Sequence, residues 1–198
     1  SYYEKFNGIE RCIEEEIPFW ISNNWTWIRI SSMASIVTKG TTPRGGNVAY
    51  QESGVGFLRA ENIAGFNELN LSNLNYINEE THLGYLKRSI LEANDILITI
   101  AGTLGRTAIV QEKDLPLNTN QAIAIVRLIP SLSINYDYLI YALNSPVIQN
   151  LLISQRKITA IPNLTLEMIS ECLIPIPPIN EQYRIINRIN QITKLLEN

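Results

Sequence analysis

Three kinds of hydrophobic spacing divide this chain. Between Trp25 and Leu128 apolar residues come in short runs: Trp25–Ile30, Gly56–Ile63, Ile96–Ile100, Ala108–Val110 and Ala122–Leu128. Short runs rich in β-branched and aromatic residues read as strands, with turns at Asn94-Asp95 and Gly102–Gly105 between them. Ser31 is placed to cap a helical turn through Met33, Ala34 and Val37, and Asn78 with Thr81 opens a short helix toward Leu86. Leu117–Gln121 reads as a polar approach to the last strand. From Tyr136 the period turns helical, with Tyr138, Leu139, Ala142 and Leu143 on one face. Ser145-Pro146 restarts a second helix, serine as N-cap and proline at its first position, so helices are predicted over 137–144 and 146–154. Gln155-Arg156-Lys157 reads as a basic loop, and Asn163-Leu164-Thr165 leads a short segment through Met168 and Ile169.

The third spacing is C-terminal. Pro175, Pro177 and Pro178 each remove a backbone donor and fix φ, which makes a stiff extended joint. Asn180 is placed as the N-cap of a new helix, and Glu181 sets a negative charge against its first turn. Ile185, Ile189, Ile192 and Leu196 then recur in heptad spacing, widened by Ile186 and Leu195. A helix of about 16 residues is about 24 Å long and marginal in isolation, so this seam calls for a partner. An amphipathic helix folded back on its own domain is the competing reading.

The pattern predicts an α+β fold: a mixed, partly antiparallel curved sheet with flanking helices, followed by a projecting helix of coiled-coil type. Residues 1–17 are a polar lead-in, 18–176 the globular body, and 177–198 the joint and the start of the assembly helix. At 198 residues, with 45% hydrophobic and 18% charged content, one sizeable domain is expected. No apolar run reaches the length of a membrane span and no charged-then-apolar leader opens the chain, so a cytoplasmic protein is expected. Cys12 and Cys172 stand far apart with no CxxC, and His82 is the sole histidine, expected on a helix surface. Disulfide frameworks, zinc sites and histidine-based catalysis have no support, and no metal or cofactor is expected.

Net charge is −3, yet its distribution matters more. Of 19 acids and 16 bases, residues 1–16 take five and two, so the remainder balances at 14 each. Arg29, Lys39, Arg44 and Arg59 meet only Glu52 along their span, and Arg156-Lys157 has no acid nearby. Lys39–Asn47 is a long polar loop that lacks the Lys-Ser or Lys-Thr of a phosphate-binding loop. It suits backbone or base contacts, and a plain surface loop is the alternative. No glycine-rich cofactor loop follows a strand, no paired carboxylates share a polar loop, and no Asn-Pro-Pro-Tyr-like tetrad is present.

In order and spacing the chain resembles the specificity subunit of type I restriction-modification systems, namely one target recognition domain with the start of its conserved helix. The carrying residues are Trp25–Ile30, Gly40-Thr41-Thr42-Pro43, Phe57-Leu58-Arg59, Asn62-Ile63 and Asn94–Thr99. They continue through Gly102–Arg106, Asn118–Gln121, Asn163-Leu164 and Ile174–Gln182. The resemblance implies a non-catalytic reader of double-stranded DNA that directs methyltransferase and restriction subunits to a target. It implies one recognition domain where a complete subunit has two, so a second recognition half or a second copy is expected through the helix. A non-catalytic protein–protein adaptor assembled through that helix is the alternative function. Residues expected on or near the DNA face are Lys39, Thr41, Thr42, Arg44, Arg59, Asn62, Thr103, Arg106, Asn120, Gln121, Arg156 and Lys157, since amides and arginines read base edges and hydroxyls and cations hold phosphates. Ile185, Ile189, Ile192 and Leu196 are expected to form the assembly seam, while Asn94-Asp95 and Asn163 belong to turns.

Overall fold

A computed structural model describes residues 2–6, 8–159 and 163–196; of residues 6, 47, 48 and 154–159 it describes the backbone alone. A hairpin of β1 (Tyr3–Phe6) and β2 (Ile9–Cys12) precedes β3 (Thr26–Arg29), a helical turn α1 (Ile30–Met33) and β4 (Ala34–Lys39). Then come β5 (Val55–Leu58), β6 (Asn75–Ile77), α2 (Glu79–Leu83), β7 (Ile96–Thr99), β8 (Thr107–Ile109), β9 (Leu117–Thr119) and β10 (Ile123–Leu128). The chain closes with α3 (Tyr136–Asn144), α4 (Pro146–Thr159), α5 (Leu166–Glu171), β11 (Leu173–Ile176) and α6 (Ile179–Leu196).

Four of the strands form an antiparallel sheet in the order β4-β10-β7-β8. Its central strands are buried on both faces, which explains why Ile96, Leu97 and Ile98 are apolar in an unbroken run instead of alternating. Ile96, Ile98, Ala124 and Val126 pack toward Leu139, Leu143, Ile148 and Ile169 of the helices. Leu97, Ile123 and Ile125 face the other way, against Leu58, Ile63 and Leu117. That second layer belongs to a three-stranded sheet, β6-β5-β9, in which β5 pairs antiparallel with β6 and parallel with β9. The α+β class and the mixed pairing are as expected, distributed over several small open sheets.

Local differences have physical reasons. Ala34–Val37 is strand, not helix, because β4 completes the edge of the four-stranded sheet against β10. Leu117–Thr119 is also strand, held by β5. Gln155–Lys157 continues α4 where a loop was expected. Leu173–Ile176 pairs with β3 in a two-stranded ribbon, where Pro175 lies on an edge and costs no interior ladder bond. Asn180 lies inside α6; the first turn starts at Pro178, whose carbonyl accepts from the Glu181 and Gln182 amides at 2.8 and 3.1 Å.

The lead-in is folded. Arg29, buried at the end of β3, pairs with Glu4 at 2.6 Å, Glu16 at 2.8 Å and Glu171 at 3.4 Å. The Arg29 hydrogen bond holds the Glu4 carboxyl below its usual range, against desolvation that raises it. Glu4 therefore ties the hairpin to the body, and Glu16 ties down the segment that follows it. Among the described residues no helix is long and apolar enough to cross a membrane.

Candidate nucleic-acid interface

The register of the four-stranded sheet decides which loops meet. Lys39 lies opposite Ala124, Ile123 opposite Thr99, and Ile98 opposite Thr107. One row across the sheet therefore carries the end of β4, the start of β10, the end of β7 and the start of β8. The polar loop after β4, the Asn120-Gln121 turn and the Thr103–Arg106 turn all leave from this end. Leu58 lies opposite Thr119 in the second sheet, and its carbonyl accepts the Asn120 amide at 3.1 Å, so Arg59 arrives there too.

Backbone contact locks the loops together. Thr41 donates its amide to the Thr119 carbonyl at 3.0 Å, and Gly40 donates to Ile123 at 3.1 Å. A Cβ on Gly40 would stand 2.2 Å from the Thr119 and Asn120 oxygens, so only glycine permits this approach. The Thr42 hydroxyl donates to Gln121 Oε1. Asn120 Oδ1 accepts the Ala122 amide at 3.1 Å and shapes its own turn. Across the patch Arg106 Nη1 donates to the Ile63 carbonyl at 3.1 Å, and its amide donates to Thr99 Oγ1 at 3.0 Å. Thr103 is exposed on the same turn and its carbonyl accepts from Thr99 Oγ1 at 2.5 Å.

Of the twelve expected residues, Lys39, Thr41, Thr42, Arg44, Arg59, Thr103, Arg106, Asn120 and Gln121 come to this end. Lys39, Arg44, Thr103 and Gln121 are exposed, and the other five are partly buried. Arg59 is paired with Glu61. Asn62 requires correction: it is 3% exposed, accepts the Arg59 amide at 2.8 Å and donates to the Asn70 and Asn73 carbonyls. Its amide is spent on holding the turn, so it presents nothing outward. Arg156 and Lys157 lie on the backbone of α4, with side chains outside the described residues. Arg88 went unrecognised in the sequence. It reaches across from the turn after α2 and donates from Nη2 to Thr41 Oγ1 at 3.1 Å, with exposed Lys87 beside it. The only signal in the sequence was the basic dipeptide after Leu86.

Beneath the patch His82 is buried, contrary to the surface position expected. Asn118 Nδ2 donates to His82 Nδ1 at 3.1 Å and to the Leu86 carbonyl at 3.2 Å. His82 Nδ1 is thus an acceptor and its ring neutral, and burial pushes its pKa down, against the opposing pull of Glu79. The opposite end of the sheet is built differently. Asp95, fully buried, takes Arg127 in a bidentate pair at 2.7 and 2.8 Å and caps its turn through the Glu92 amide. Arg127 and Arg29 are consumed by structure. The cations of the loop-bearing end have far fewer carboxylate partners.

Helix α6 begins in the body and leaves it. Gln182, 1% exposed, accepts the Asn135 amide and donates to the Pro177 carbonyl, each at 2.8 Å, and Ile186 is buried. Tyr138 closes the joint by donating to the Pro175 carbonyl at 2.6 Å. From Asn190 to Leu196 every residue is exposed. Ile185 and Ile189 are partly covered, and Ile192 and Leu196 are 44% and 82% exposed.

The chain is thus an α+β domain that gathers polar loops at one sheet end and sends out an amphipathic helix. The chain belongs to the family described as the type I restriction modification DNA specificity domain, whose model matches residues 22–198. It is 37% identical over 126 residues to the type I restriction enzyme EcoBI specificity subunit of Escherichia coli, covering 63% of this chain and 26% of that one. The HsdS subunit from Thermoanaerobacter tengcongensis shares the fold with a TM-score of 0.64 at 19% identity, over 91% of this chain and 40% of that one. A chain from a structure of type I R-M system assembly and conformational transition matches at a TM-score of 0.66 and 22% identity, over 93% and 43%. The chain thus spans less than half the length of these relatives.

Proposed function

We propose that the chain is a sequence-specific reader of double-stranded DNA, one half or a half-sized specificity subunit of a type I restriction-modification complex. It does no chemistry itself. It directs methyltransferase subunits, and through the complex a restriction subunit, to the target, in the cytoplasm and without a cofactor. The observation that carries this reading is the single row of strand ends. Three inter-strand steps of about 4.8 Å make a front about 14 Å wide, close to the roughly 12 Å of a major groove. On that front Lys39, Arg44, Arg88 and Arg106 supply charge and bidentate donors, while Thr41, Thr42, Thr103, Asn120 and Gln121 supply hydroxyls and amides. The seam of α6 recruits the second recognition half or second copy and the methyltransferase.

The exposed stripe on α6 also suits a protein–protein adaptor. Retention on duplex DNA and on immobilised methyltransferase subunits separates the two. The reader is retained on DNA and released as salt rises, because phosphate contacts displace counterions. Retention on the methyltransferase with none on duplex, at any salt, would establish the adaptor instead.

A further inference from the structure

The loop after β4 and the turn after α2 are far apart in sequence and grip each other twice. Thr41 accepts from Arg88, and the Arg44 guanidinium lies 4.6 Å from the centroid of the Tyr85 ring. Arg44 is carried outward by a tight turn: Gly45 and Gly46 have φ of +91° and +58°, and the Gly46 amide donates to the Pro43 carbonyl at 3.2 Å. Tyr85 follows Gly84, which ends α2, and is 49% exposed.

The arginines around the sheets have different partners. Arg29 and Arg127 are held by carboxylates, Arg59 by Glu61, and Arg106 by a backbone carbonyl. Arg44 takes part in no ion pair among the described residues, and its described partner is an aromatic face. Such a contact fixes the position of the guanidinium yet uses none of its five N–H donors. A bidentate pair with guanine O6 and N7 needs two such donors, free and held in one plane. An exposed tyrosine that packs on an otherwise uncommitted arginine is therefore a platform for it.

Building on the DNA-reading function above, we propose that Tyr85 is a positioning residue that holds Arg44 as the reader of one G·C pair in the major groove. The π face carries the role and the hydroxyl does not, so Tyr85→Phe preserves it. Tyr85→Ala frees Arg44 without removing its charge. Arg44→Lys keeps the charge and loses the fork.

The test uses the 198-residue chain with the methyltransferase subunits of its system. Affinities are measured for the selected site and for every single-base-pair change within it, with thermal melts as the folding control. Tyr85→Ala and Arg44→Lys should each lose about tenfold to hundredfold of discrimination at the same one G·C position. All other positions should be unaffected, and Tyr85→Phe should match wild type. If Tyr85→Ala keeps the wild-type profile, or weakens all sequences alike, the inference is overturned while the DNA-reading function stands. Should Tyr85→Ala melt early, Tyr85→Leu, which fills the space without a π face, carries the same test, and a wild-type profile for Arg44→Lys overturns the inference on its own. Wild-type binding without any base preference overturns both.

Discussion

Replacing Ile189 and Ile192 together by aspartate separates a helix that projects from one that merely packs. Ile192 is 44% exposed and Ile189 partly so. The folded monomer loses at most the half of each side chain that the body already covers, about 1.5–3 kcal/mol for the pair, or roughly 3–12 °C in melting temperature for a chain of this size. An assembled helix loses much more. Fully burying an isoleucine contributes about 1.5–3 kcal/mol, and about half of that remains available here, so the pair forfeits about 1.5–3 kcal/mol. Burying two carboxylates without partners costs several kcal/mol further. The total exceeds about 3 kcal/mol, a weakening of more than about 100-fold at 1.4 kcal/mol per decade. Ile186→Asp is the contrasting control, because Ile186 is 6% exposed against the body and its replacement should destabilise the monomer itself. Mass by light scattering over a concentration series reads assembly, and thermal melts read the fold. Normal assembly of the double variant refutes the seam. A fall in its melting temperature as large as that of Ile186→Asp refutes the projection.

Three further outcomes follow from buried groups. Arg29→Met should cost about 3–4 kcal/mol, the lower part of the range for breaking a buried pair because Glu16 and Glu171 are nearly half exposed. Denaturant melts measure that loss, and limited proteolysis should show the hairpin of residues 3–12 released. His82 binds its proton less tightly folded than unfolded, so stability should fall as pH drops below about 6.5. His82→Gln should flatten that part of a stability-versus-pH curve, and an unchanged slope would contradict the assignment. Asn62→Ala should destabilise by about 1–3 kcal/mol, since it removes the bonds of a buried side chain to the Arg59 amide and to the Asn70 and Asn73 carbonyls. A DNA-affinity change in excess of that loss would contradict its structural role.

Much of this was legible because the signals were local. Ile96–Ile100 announced a buried strand, Ser145-Pro146 a helix start, and the spacing of Ile185, Ile189 and Ile192 an amphipathic helix, which the body covers only in part. What escaped depends on partners distant in sequence. The three residues Leu117–Thr119 become a strand only through parallel pairing with β5, and Asn118 is buried there because it bonds His82. Ala34–Val37 carries a serine cap signal, yet edge pairing with β10 overrides it. Asn62 and Asn120 both read as amides in polar turns, and only their hydrogen-bond partners separate a turn-holder from a member of the patch. The acidic residues 1–16 read as a polar lead-in; two of them, Glu4 and Glu16, are counter-charges of the buried Arg29, whose need no local pattern betrays. Arg88 joined the patch for the same reason, through a hydroxyl 47 positions away.

Selection of bound duplexes from a random pool by the chain mixed with its methyltransferase subunits tests the central claim most directly. The account predicts enrichment of one short motif, with fixed base pairs over about the width of a single groove face, and loss of that enrichment when Arg44 and Arg106 are both replaced by alanine. Recovery of a pool as random as the one supplied, by wild-type protein that still assembles with the methyltransferase, would contradict it.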